Sequence, residues 1–234
     1  MNTTSAPVTS EPSHRRISLT AGIFYLLTFV SIPTLALYGP VKGANYIIGS
    51  GPDTGAIFGG VLEIIVALAG IGTAVVLFPI LKKQNEGFAL GLVASRVLEA
   101  ATIFVGVAFL LAIVALRKDG VGAGALVTSR TLVVLYNRIF LLGQSFMPAV
   151  NDLLLGVLLY QSRLVPRALS RIGIIGSPVL VAGYLAVLFG LISQHGPVAG
   201  LSALPVAVFE FSLGVWLVVK GFDPAAVAAL EERA

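Results

Sequence analysis

The chain has 234 residues, 57% of them hydrophobic and 11% charged, with a formal charge of +4. Soluble domains carry about 25% charged residues, so this composition, with a mean hydropathy of +0.98, belongs to an integral membrane protein. The absence of cysteine excludes disulfides, thiolate catalysis and cysteine-held metals. The two histidines, His14 and His195, fall outside the apolar runs, which argues against a haem or zinc site in a bundle, and no cofactor is expected. The modest positive charge makes no case for nucleic acid; what matters is where Lys and Arg sit along the chain.

Met1 to Pro12 is rich in Ser, Thr and Pro and reads as a disordered cytoplasmic tail, with the domain boundary at residue 14. Arg15-Arg16 precedes the first predicted span, Ile17 to Tyr38, which is too long for a signal h-region and lacks an A-x-A site. Gly39 to Thr54 is a Gly- and Pro-containing loop, followed by the second span, Gly55 to Leu81. Lys82 to Glu86 forms a polar turn, and the third span is Gly87 to Leu116. A small-residue loop, Gly120 to Ser129, leads to a long fourth span, Thr131 to Tyr160, in which Pro148 predicts a kink. A basic linker, Gln161 to Arg167, precedes the fifth span, about Ile172 to Ser193, and the sixth, Leu201 to Lys220. Asp223-Pro224 predicts an N-cap and first-turn proline for a short tail helix over 223–234.

The fold class is therefore all-α: six transmembrane helices in one bundle over 15–222. Nine Lys and Arg fall at the end that carries the termini (Arg15, Arg16, Lys82, Lys83, Arg163, Arg167, Arg171, Lys220, Arg233), and four at the other (Lys42, Arg117, Lys118, Arg130). That asymmetry predicts cytoplasmic N- and C-termini in the plasma membrane. The pairs Gly55/Gly59 and Gly87/Gly91 predict close helix packing. Trp216, Tyr160, Tyr25 and Tyr38 read as interface or packing aromatics.

Several segments resemble a known family. Phe88-Ala89-Leu90-Gly91 through Ser95-Arg96-Val97-Leu98-Glu99-Ala100 is similar to the third-helix pattern of a prokaryotic membrane family catalogued as domain of unknown function 4386. The linker Tyr160-Gln161-Ser162-Arg163-Leu164-Val165-Pro166-Arg167 and the closing run Phe209 to Gly221 resemble the same family, although Ser170-Arg171 stands where a glycine is expected. The resemblance covers most of residues 15–222 and implies a six- or seven-helix membrane protein; it implies no activity.

The informative residues are the charges inside the apolar runs, because each costs roughly 2.5–3.5 kcal/mol near the bilayer centre. At 1.5 Å per residue, Arg96 and Glu99 lie about 14 and 18 Å from the terminal end of their helix, Glu210 about 15 Å and Asp152 about 14 Å. Glu63 and Arg138 enter from the opposite end, at about 12 and 10 Å. Depth alone pairs Arg138 with Glu63, and Arg96 with Glu99 and either Asp152 or Glu210. Asn137, Gln144 and Asn151 add hydrogen-bonding capacity. Four carboxylates face two arginines, and that surplus could carry a proton or bind a cation. Glu63, Arg96, Glu99, Arg138, Asn151, Asp152 and Glu210 are thus the candidate polar cluster.

Three functions follow from this cluster. A small solute, proton or lipid binds or moves through it; or the charges belong to a structural or regulatory subunit and only lock helix register; or the acids serve a membrane-embedded enzyme. The enzyme reading lacks a nucleophile or metal beside the acids. Gly143-Gln144-Ser145 matches the G-x-S motif of rhomboid proteases, but its only histidine partner would be His195 in an outer loop, while Ser145 lies about 21 Å from the outer end of its helix. Arg163, Arg167 and Arg171 recur every four residues and would line one face of a helix, where they either anchor topology or hold anionic lipid headgroups.

Overall fold

The structure, a computed structural model, describes residues 11–119, 122 and 124–233. The predicted N-terminal tail lies outside the described residues through position 10, as does Ala234 at the other end. Glu11 already opens the first helix, so 11–14 are helical where the sequence reading places the end of the tail.

Six helical segments are long and apolar enough to cross a membrane: Ser13–Leu37, Thr54–Leu81, Glu86–Lys118, Ala125–Ser162, Arg167–Leu188 and Pro197–Val219. The first consists of α1 (Glu11–Leu27), a 3-10 turn (Thr28–Ser31) and α2 (Thr34–Leu37), broken where Pro33 denies an amide to the ladder. The second and third are the continuous helices α3 (Thr54–Leu81) and α4 (Glu86–Lys118). Asn85 caps α4 by accepting from the Phe88 amide at 2.9 Å; Glu86 in its first turn and Arg117 and Lys118 in its last match the helix dipole.

The fourth span departs most from the sequence reading. It starts at Ala125 rather than Thr131 and runs as α5 (Ala125–Phe140), a π-helical turn (Leu141–Phe146) and α6 (Met147–Ser162). Of the predicted Gly120 to Ser129 loop, residues 120, 121 and 123 lie outside the described residues. Next to Pro148, where the sequence predicts a kink, the structure has this π turn. Proline would clash with the carbonyl four residues back, that of Gln144, and the π turn widens the helix there so that Pro148 opens α6. Helices α7 (Arg167–Leu188), α8 (Pro197–Val219) and α9 (Pro224–Glu231) complete the chain, and the Asp223 carboxylate caps α9 at the Ala226 amide.

The packed pairs form a closed circuit, α1 on α3, α3 on α4, α4 on α6, α6 on α7, α7 on α8 and α8 back on α1, with α5 packed outside on α4. The circuit closes through glycine: a Cβ on Gly22 would come within 2.7 Å of the Gly214 carbonyl, so only hydrogen at that position lets the first and last spans touch backbone to backbone. Gly59, half of one predicted pair, receives the Tyr38 ring, and Gly91 of the other faces Leu154. Apolar side chains such as Ile57, Phe58, Val61, Ile65 and Leu68 on α3 point outward as the lipid-facing surface.

The terminal half of the ring is filled by one apolar core that includes Tyr25, Leu77, Leu81, Leu92, Leu155, Leu158, Phe209 and Leu213. The two chain ends meet there: Arg15 donates to the Leu217 carbonyl at 2.9 Å, and Glu231 of α9 faces His14 at 3.2 Å and Lys83 at 3.7 Å. At the opposite end Asp53 ties the loop before α3 to the end of α4. It accepts from the Tyr46 hydroxyl at 2.5 Å, pairs with Arg117 and faces Lys118 at 3.7 Å. The Tyr46 hydroxyl, with the Arg117 and Lys118 cations, holds the Asp53 carboxyl below its ordinary range against its partial burial.

Because Asp53 is more acidic folded than unfolded, its contribution to stability is present above the ordinary carboxylate range and is lost as pH falls through the folded value. Asp53→Asn should therefore lower Tm at neutral pH, and its gap to wild type should close below about pH 4. Thermal unfolding in detergent across that range checks this; a gap that does not change with pH would contradict it.

Candidate functional site

Three of the predicted charges meet in the middle of the bundle. Arg96 and Glu99 stand one turn apart on α4, and Arg96 Nη1 donates to Glu99 Oε2 at 3.0 Å. Its Nη2 reaches across the ring to Glu210 Oε1 on α8, at 2.5 Å. Of the two partners that depth allowed, Glu210 takes the guanidinium. Arg96 is 3% exposed and sits over the Tyr25 ring, 5.6 Å from its centroid. A planar guanidinium suits this role because its fork can serve two carboxylates on different helices at once.

Asn151 completes the cluster from α6. Its Nδ2 donates to Glu99 Oε2 at 2.7 Å, while its Oδ1 accepts from Ser95 Oγ at 2.5 Å. Ser95 was not legible as a site residue, since a serine in an apolar helix ordinarily bonds its own backbone, as this one also does to the Leu92 carbonyl. Asp152, the next residue on α6, is fully buried, and neither of its carboxyl oxygens has a hydrogen-bond partner among the described residues. The Tyr25 hydroxyl and Arg96 Nε are likewise buried and unpartnered.

Glu63 belongs to a second, separate cluster. The predicted pairing with Arg138 does not form: Glu63 accepts instead from the hydroxyls of Tyr38 and Tyr136, each at 3.1 Å, and from Gln144 Nε2 at 3.4 Å. Arg138 lies exposed on the stripe of α5 that carries Val127 and Val134 and faces away from the ring. Rotation about the helix axis points its side chain outward. Lys42 caps the second cluster with its ammonium 4.1 Å from the Tyr136 ring centroid. The signal available in the sequence was a pair of tyrosines inside apolar runs, each with a hydroxyl to satisfy.

Between these clusters lies a cavity of about 410 Å³. Its floor is Arg96, Glu99 and Glu210, and its walls include Val66, Ala67, Ile103, Leu180 and Val206. It extends toward the end of the bundle away from the termini, where exposed Leu35 and Gly200 line it. The π turn shapes one side. A Cβ on Gly143 would fall 1.8 Å from Thr102 Oγ1, so this turn presses directly on α4 and presents Gln144 and Ser145 to the cavity. Gln144 thus touches both the cavity and Glu63. His195 stays exposed in the loop beyond α7 and makes no hydrogen bond to Ser145 among the described residues.

The three linker arginines do not share one helix face. Arg163 ends α6 in a left-handed conformation (φ 60°), Pro166 restarts the chain, and only Arg167 and Arg171 lie one turn apart on α7. Those two stack on the Tyr160 ring, 5.0 and 5.6 Å from its centroid.

Removing one member of a buried ion pair costs about 3–5 kcal/mol, because it strands the opposite charge. Arg96→Met should cost that much, and Arg96→Lys should recover only part, since one ammonium cannot bridge Glu99 and Glu210 with the same geometry. Unfolding midpoints of both variants in detergent check the order; a lysine variant as stable as wild type would contradict the two-pronged role.

Comparison with known proteins adds one relationship. No curated protein matches the chain, and no solved structure does. The model of the family described as domain of unknown function (DUF4386) matches residues 20–221, a stretch that contains all six spans apart from the first residues of α1. The chain is a member of the DUF4386 family of unknown function.

Proposed function

We propose that this membrane protein binds a small cationic solute with an apolar body in the central cavity, entering from the end away from the termini. The observation that carries the reading is the cavity itself: its polar floor is the Arg96, Glu99 and Glu210 cluster, and its walls are largely apolar. Its volume of about 410 Å³ falls within the roughly 300–1,000 Å³ of ordinary ligand pockets. The charge balance favours a cation. Arg96 is the single base beside Glu99 and Glu210 on the cavity floor, which leaves a formal surplus of one negative charge.

The double pairing of Arg96 favours a second reading, in which the charges only lock three helices in register. A pure lock has no use for an open cavity above it, and solvent access to a paired floor weakens the lock it would serve. Moving a solute right through the bundle would additionally require the apolar core of the terminal half to open. We assign the terminal end to the cytoplasm and the bundle to the plasma membrane, on the excess of Lys and Arg around the termini.

Purified protein in lipid nanodiscs should gain a saturable rise in Tm from benzyltrimethylammonium and none from benzoate, a ring of similar size and opposite charge. Glu99→Gln and Glu210→Gln should each weaken the cation at least tenfold. An equal response to both ions, or a cation response untouched by both substitutions, would overturn the reading. The orientation is checked separately on this cysteine-free chain: Lys42→Cys should react with an impermeant maleimide from outside intact cells, and Lys83→Cys only after permeabilisation.

A further inference from the structure

A second cavity, of about 420 Å³, lies at the terminal end of the bundle, between the linker joining α6 to α7 and the one joining α8 to α9. Three cationic side chains line it, Arg163, Arg167 and Lys220, together with Trp216. None of the three forms an ion pair with an acid among the described residues. The one carboxylate at the rim, Asp223, is engaged with the Ala226 amide as the cap of α9. The notch therefore gathers three cations against a single carboxylate, a formal excess of two positive charges.

Its backbone is held firmly enough to be a site. The Asp223 amide donates to the Leu164 carbonyl at 2.9 Å, and Trp216 Nε1 donates to the Gly221 carbonyl at 3.1 Å, so the two linkers are pinned to each other and to α8. Arg163 is the only described residue other than glycine with a positive φ, 60°. At the C-terminal end of a helix this conformation favours glycine, which carries no Cβ to strain it. Keeping an arginine there costs the fold something and puts a guanidinium into the notch. The N-terminus of α7, whose dipole is positive at that end, begins at Arg167 on the same rim.

We infer that this notch binds the phosphate of an anionic glycerophospholipid, with Arg163, Arg167 and Lys220 around the headgroup and the acyl chains along α8. The position selects a lipid over a free anion. Trp216 stands where indoles mark the headgroup level, and Val215, Phe211 and Val208, 39%, 51% and 42% exposed, continue from it along the outer face of α8 toward the hydrocarbon core. Relative to the three-arginine stripe expected from spacing, Lys220 replaces Arg171, which lies against Tyr160 beside Arg167. The site is independent of the central cavity and stands or falls without it.

The test uses the full chain, stripped of lipid in a neutral detergent. Phosphatidylglycerol should raise Tm and remain bound after gel filtration, while phosphatidylcholine and inorganic phosphate should do neither. Arg163→Gly removes the cation and at the same time supplies the residue that the left-handed backbone prefers, so it should fold as well as wild type. It should retain less than half of the bound phosphatidylglycerol, and the triple variant Arg163→Gly, Arg167→Gln, Lys220→Gln less than a fifth. Unchanged retention in the triple variant would overturn the assignment, as would an equal Tm rise from inorganic phosphate, which would mark a free-anion site.

Discussion

One guanidinium sets the geometry of the middle of this protein. Arg96 lies at a depth where a lone cation is unaffordable, and it is satisfied by a carboxylate one turn away and another on the last span. The local partner asks nothing of the fold. The distant one does, because Glu210 can reach Arg96 only if α8 packs inside the same ring as α4. Asn151 adds a third helix by holding the other side of Glu99. A polar cluster of this kind contributes less by its net energy, which desolvation largely offsets, than by excluding arrangements that would strand its members.

From that cluster the bundle divides into two unlike halves. Toward the termini the ring is filled by leucine and aromatic side chains, and the ends of the chain are tied together by Arg15, Glu231 and Lys83. Toward the other end the packed helices spread around a cavity, and a second apolar core sits to one side, between the start of α3 and the end of α4. The π turn in the fourth span serves this asymmetry. It admits Pro148 without breaking the helix, lets Gly143 approach Thr102, and points Gln144 between the two polar clusters. Extra backbone at a π turn is tolerated where neighbouring helices or a cavity take up the displaced groups.

What the amino-acid sequence determined by itself is the number of spans, their approximate ends and the depth of each buried charge, because these depend only on the length of apolar runs and the rise per residue. The contact between Arg96 and Glu99 was legible for the same reason: a three-residue spacing places two side chains on one helix face whatever the rest of the chain does. Only the tertiary structure decided which way each helix is rotated and which helices are neighbours. Arg138 shows the difference. Its expected depth matches that of Glu63, yet α5 turns the arginine outward and its Tyr136 inward, leaving Glu63 to the hydroxyls of Tyr136 and Tyr38 and to Gln144. Glu210 rather than Asp152 became the partner of Arg96 through the same kind of choice. Periodicity carries one coordinate of a side chain, its position along the axis; its angle toward a particular neighbour is set when six helices compete to bury their surfaces together.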